Sequence, residues 1–138
     1  MPRRAAPAPL PLPTDGELRI LRVLWARGPS TVREVHDALG GDREAGYTTA
    51  LKLMQIMHEK RLVTRDASAR THVVAAATPP ETTQRRLVRD LAERAFGGSA
   101  LGLMMQALSS ERASPEELRR IREVIDRLER EGGAGDDR

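Results

Sequence analysis

Four times in this chain a hydroxyl residue is followed three places later by a glutamate. The pairs are Thr14–Glu17, Thr31–Glu34, Thr78–Glu81 and Ser114–Glu117. This is the capping-box pattern, in which the hydroxyl accepts an orphan helix N–H and the glutamate reaches back to the cap N–H. Each box precedes a run of apolar residues at helical spacing, so the chain is cut into short amphipathic helices with fixed starts.

The first helix opens at Thr14, carries Leu18, Leu21, Leu24 and Trp25, and stops at Gly28-Pro29. The second opens at Thr31, with Val32, Val35 and Leu39 on one face, and ends at Gly40-Gly41. A charged loop, Asp42 to Ala45, leads to Gly46. From Tyr47 to Lys60 there is no Gly or Pro, and Ala50, Leu53, Met54 and Met57 mark a third helix.

The period then changes. Leu62–Arg65 and Thr71–Val74 are short runs rich in β-branched residues, separated by Asp66 to Arg70. They predict a two-stranded hairpin, which must pack on the helices because an isolated hairpin is marginal in water. Beyond Thr78 a fourth helix carries Leu87, Val88, Leu91, Ala95 and Phe96 and ends at Gly97-Gly98. Ser99 to Leu108 is a short, mostly apolar fifth helix. The Ser114 box opens a sixth, with Leu118, Ile121, Ile125 and Leu128 on one stripe.

The fold class expected is mainly α with a small β-hairpin: a winged helix-turn-helix followed by a helical dimerisation region. Residues 1–13 hold five prolines and predict a disordered arm. Residues 14–78 are the expected winged-helix DNA-binding domain and 79–131 the helical dimerisation domain. Residues 132–138 are an expected flexible tail.

Composition narrows the function. The chain has no cysteine, which removes zinc fingers, iron–sulfur clusters, disulfides and thiol nucleophiles. Aromatic residues are 2%, too few for stacked single-strand recognition. No apolar run is long enough for membrane insertion, and the prolines after Arg3-Arg4 break any apolar signal core, so a cytoplasmic location is expected. Net charge is +3, and the basic excess lies before residue 79: residues 14–78 carry 10 basic against 8 acidic side chains. That balance suits a polyanion.

In a winged helix the third helix enters the major groove and the hairpin lies along the backbone. At 100° per residue from Thr48, the third helix buries a face centred at about 190°. The opposite face collects Thr48, Lys52, Gln55 and Glu59. Lys52 suits guanine acceptors and Gln55 suits adenine, while Leu51 on the flank suits a thymine methyl. Thr48 and Thr49 lie in the predicted first turn, where helix N–H groups hold phosphate. Arg65 and Arg70 flank the hairpin turn and add phosphate contacts.

In the second half, three striped helices on about 50 residues bury more surface when two copies pack together. Leu101, Met104, Met105, Leu108, Leu118, Ile121, Ile125 and Leu128 are the expected dimerisation residues. No metal site, cofactor or enzyme is expected: His36, His58 and His72 fall on different elements without ligand spacing, and no phosphate loop or nucleophile elbow appears. A winged-helix interaction module or anti-activator without specific DNA binding is the alternative.

Several segments together resemble the penicillinase-repressor (BlaI/MecI/CopY) family. They are Leu24-Trp25 with Gly28-Pro29, Thr31-Val32-Arg33-Glu34-Val35, Tyr47-Thr48-Thr49 and Lys60-Arg61-Leu62-Val63. Phe96-Gly97-Gly98-Ser99 and Ser114-Pro115-Glu116-Glu117-Leu118 resemble its dimerisation region. The resemblance covers about residues 14–130. It implies a homodimeric repressor on pseudo-palindromic operators of antibiotic-resistance, cell-envelope stress or metal-handling genes.

The family usually follows Tyr-Thr-Thr with Val, a variable position, Thr and later Arg. This chain has Ala50, Leu51, Lys52 and Ile56 there, which implies a different half-site. The absence of cysteine excludes the copper-responsive branch. Some members pair with a membrane sensor protease that cuts the dimerisation region. The matching stretch here, Met105 to Leu108, lacks the Asn-Phe pair expected at such a cut.

Overall fold

The computed structural model describes residues 11–40, 44–68, 70–110 and 112–135. Most of the expected arm, part of the charged loop and the last three residues of the tail therefore lie outside the described residues. The elements run α1 (Asp15–Arg27), β1 (Ser30–Thr31), α2 (Val32–Ala38), α3 (Glu44–Glu59), β2 (Val63–Asp66), β3 (Val73–Ala76), α4 (Pro80–Ala95), α5 (Ala100–Ser110) and α6 (Pro115–Gly135). The chain divides into two compact units, Met1–Val88 and Arg89–Arg138.

Three of the four boxes close as the spacing requires. Thr14 N–H donates to Glu17 Oε1 at 2.8 Å, and Glu17 N–H donates back to Thr14 Oγ1 at 3.3 Å. Thr31–Glu34 and Ser114–Glu117 form the same reciprocal pairs. The exception is Thr78. Helix α4 begins at Pro80, which takes the first helical position that suits proline. The Thr78 hydroxyl instead meets that of Thr83 at 3.4 Å.

The core of the first unit joins α1, α2, α3 and the sheet. Ile20, Leu21 and Leu24 of α1 pack with Val35, Met54, Met57, Leu62, Val63 and Val74. The α1 stripe is rotated from the expected one: Ile20 is fully buried, while Leu18 and Trp25 are half-buried. Residues 17, 20, 21 and 24 share one face at 100° per residue, so the shift is one position round the helix. On α2, Leu39 is exposed and His36 is buried in its place. The His36 ring meets the Tyr47 ring edge-on at 5.6 Å.

Glu17 is buried with its charge. Lys60 Nζ donates to both of its oxygens, at 2.9 and 3.0 Å. This pair ties the start of α1 to the residue just past α3. Burial alone would raise the Glu17 pKa. The Thr14 N–H and the Lys60 ammonium outweigh it and hold the carboxyl below its ordinary value.

Helix α3 starts three residues earlier than its apolar pattern predicts, inside the expected charged loop. Gly46 is accommodated by a close approach. A Cβ there would lie 3.0 Å from His36 Cε1, so a side chain at this position would press on the His36 ring where α2 and α3 meet. The other end closes through a Schellman pattern. Leu62 N–H reaches Met57 O at 2.9 Å, with Arg61 left-handed at φ 64°. Glycine is usual at such a position, and a side chain there costs about 1 kcal/mol.

The expected hairpin is present, but each strand lies further along the chain. The β2–β3 register pairs Val63 with Ala76, Thr64 with Ala75, Arg65 with Val74 and Asp66 with Val73. Ladder pairing carries β3 through Ala75 and Ala76, which strand propensity alone does not favour. A third strand, β1, pairs Ser30 with Val74 and Thr31 with Val73, giving the antiparallel order β1-β3-β2. Two residues are too few for an alternating pattern, and Thr31 doubles as the α2 cap. Trp25 Nε1 donates to the Thr78 carbonyl at 3.0 Å, so α1 also holds the segment after β3.

In the second unit, Ser99 Oγ caps α5 by accepting from Gly102 N–H at 2.9 Å. Helix α6 continues through Gly132 and Gly133 to Gly135, where a frayed tail was expected. Extending an established helix costs far less than starting one.

The sign of the Glu17 shift sets a pH dependence. A lowered folded pKa adds stability above the unfolded value, near 4.5, and that stability is lost as pH falls through the folded pKa. Glu17→Gln is therefore expected to cost about 2 kcal/mol near neutral pH, with the deficit shrinking under acid conditions. Urea melts of both proteins at about pH 7 and about pH 3.5 check this. A gap that stays constant with pH contradicts it.

Candidate nucleic-acid interface

Helix α3 turns Ala50, Met54 and Met57 inward, as the 100° wheel requires. Thr48, Lys52 and Gln55 are exposed on the opposite side, and Leu51 is half-buried at its flank. Because α3 starts at Glu44, Thr48 and Thr49 sit in its second turn. The helix N–H groups left open are those of its first turn, ahead of both threonines. The expected phosphate grip at the helix start thus moves about one turn ahead of the two threonines.

The sheet register decides where the arginines go. Successive strand residues alternate faces, and Arg65 stands opposite Val74. Val63, Arg65, His72 and Val74 consequently face α3, where they meet Leu51, Met54, Gln55 and His58. The result is a narrow groove of about 50 Å³ between α3 and the hairpin, with Val32 of α2 also in its lining. Met54, Val63 and Val74 form its buried floor, whereas Gln55, His58, Arg65 and His72 form an exposed rim. Leu51, Gln55 and Arg65, three of the residues expected to meet DNA, are brought together here.

The other expected residues lie apart from this groove. Thr49 is on the far flank of α3, lining an open cavity of about 590 Å³ with Gly16 and Arg19 of α1 and His36 of α2. Arg70 is exposed in the connection between β2 and β3. That connection starts in a turn held by Asp66, whose carboxylate accepts from Ser68 N–H at 2.9 Å. The Ser68 hydroxyl and N–H together keep the Asp66 carboxyl below its ordinary value.

Sequence reasoning missed His58 and His72 because they lack metal-ligand spacing. Two weaker signals pointed to them. On the α3 wheel His58 falls at about 280°, beside Leu51 at about 300°, and His72 shares strand parity with Val74. It also missed the packing of Tyr47. Arg33 of α2 lies over the Tyr47 ring, 4.8 Å from its centre, so α2 and the start of α3 are held by a cation and an aromatic ring.

Residues 13–127 match the penicillinase repressor family. The chain belongs to that family. It is 31% identical over 117 residues to the transcriptional regulator BlaI of Mycobacterium tuberculosis, in strains CDC 1551 / Oshkosh and ATCC 25618 / H37Rv. That similarity covers 83% of this chain and 83% of each relative.

In this member of the penicillinase repressor family the second unit leaves its apolar stripes uncovered. Leu101, Met104, Met105 and Leu108 are exposed on α5, and Leu118, Ile125 and Leu128 are exposed on α6. Ile121 is half-buried. Val124, outside the expected stripe, is exposed as well. No helix among the described residues is long and apolar enough to cross a membrane.

Proposed function

We propose that the chain is a cytoplasmic transcriptional repressor that binds duplex DNA sequence-specifically as a homodimer on a pseudo-palindromic operator. The observation that carries this reading is the shared groove. An outward helix strip with Lys52 and Gln55 runs beside a hairpin whose Arg65 faces the same helix. Lys52 and Gln55 meet base edges in the major groove, where lysine pairs with guanine acceptors and glutamine with adenine. Thr48 and Arg70 contact the backbone, and Arg65 holds the phosphates beside the groove. Thr49, on the α1 flank, is left with a backbone contact at most. Family membership supports control of antibiotic-resistance or envelope-stress genes.

Surface chemistry supports dimerisation. Soluble monomers rarely leave a contiguous apolar patch of more than a few hundred Å² uncovered. Seven expected dimerisation residues on α5 and α6 are exposed in the single chain. A second copy supplies matching stripes and sets two recognition helices about one DNA turn apart.

Gln55→Ala is expected to lower specific affinity by roughly 1–3 kcal/mol while leaving non-specific affinity nearly unchanged. Competition gel shifts against the chain's own upstream region and random duplex measure the ratio. An unchanged ratio would place the recognition surface elsewhere, and no specific shift by the wild-type chain would favour an interaction module. Ile125→Asp is expected to yield monomers in sedimentation at micromolar concentration and to weaken operator binding. A wild-type chain that already sediments as a monomer contradicts the dimer.

A further inference from the structure

The groove between α3 and the hairpin has a composition that a phosphate grip does not explain. Its floor is apolar and buried: Met54, Val63 and Val74 are each about 3% exposed. An anion seated there would lose water without gaining donors. The volume, about 50 Å³, admits a methyl-sized group and is too small for a ring. The rim carries an amide, Gln55, a guanidinium, Arg65, and the imidazoles of His58 and His72. A positively charged rim around a methyl-sized apolar floor matches a polyanion that presents methyl groups.

We propose that this groove is a reading site for the 5-methyl group of thymine in the operator half-site. The proposal rests on the DNA-binding reading above. The methyl enters over Met54 and Val74, with Leu51 as the wall on the helix side and Val63 as the wall on the hairpin side. Gln55 at the rim pairs with the N6 and N7 edge of a neighbouring adenine. Arg65 binds the phosphate beside that step. The hairpin therefore contributes to sequence choice through its inner valines as well as to backbone grip. Thymine is separated here from uracil by one methyl group, and from cytosine by that methyl together with the exchange of the O4 acceptor for an N4 donor.

Deoxyuridine scanning tests the assignment directly. The full chain first selects its preferred duplex from a randomised library. Each thymine in that duplex is then replaced by deoxyuridine, which removes only the methyl. Burying one methyl group contributes about four-fold in affinity, so one position per half-site is expected to weaken binding about four-fold. Replacing both symmetric positions is expected to weaken it roughly fifteen-fold. Leu51→Ala is expected to erase the thymine preference at that position, because one wall is gone. Lys52→Ala, on the open face, is expected to lower affinity and leave the preference intact.

A duplex that binds specifically yet shows no loss at any thymine overturns the methyl site and leaves the DNA-binding reading standing. A thymine preference that survives in Leu51→Ala also overturns it, by locating the methyl elsewhere. Failure to select any duplex overturns both readings together.

Discussion

Glu17 sits in the first turn of α1 with almost no contact with solvent, and three donated hydrogen bonds end on its carboxylate. One comes from the Thr14 N–H and closes the helix start. The other two come from Lys60, the residue that follows α3. The carboxylate is thus both a cap for one helix and an anchor for the end of another. A buried charge without partners is strongly unfavourable. The arrangement therefore tolerates few positions of α3 relative to α1. With that end fixed and Gly46 pressed against His36 near the other, α3 is held at both ends. Its outward strip and its groove with the hairpin depend on that restraint.

Much of this was legible in the sequence, and what was missed has physical reasons. Capping boxes and apolar spacing located the six helices found among the described residues, because both signals are local. The box at Thr14 predicted a reciprocal cap but gave no sign of Lys60, since a partner 43 residues away leaves no periodic trace. Strand β1 was invisible for the same reason: two residues are defined by the strand they pair with. The start of α3 was misplaced because Gly46 resembles a stop until the ring of His36 is seen beside it.

The candidate interface was partly legible. The outward strip of α3 followed from the helical wheel, and Gln55 and Lys52 stand where the wheel put them. Thr49, expected to hold phosphate at the helix start, lies instead in the second turn of α3 and lines the open cavity beside α1. The groove could not be derived from one element at a time. It exists because the register sets Arg65 opposite Val74 and turns both toward α3. His58 and His72 acquire meaning only through that register. In the second unit the apolar spacing of α5 and α6 was plain, and the structure adds that the single chain does not cover it.

The central claim is that α3 and the hairpin form one surface for duplex DNA, and hydrogen exchange measures it most directly. Adding the selected duplex to the full-length chain is predicted to slow exchange in α3 and in β2 and β3 together, at the same occupancy. Protection confined to α5 and α6, or to α3 without the hairpin, would contradict the account.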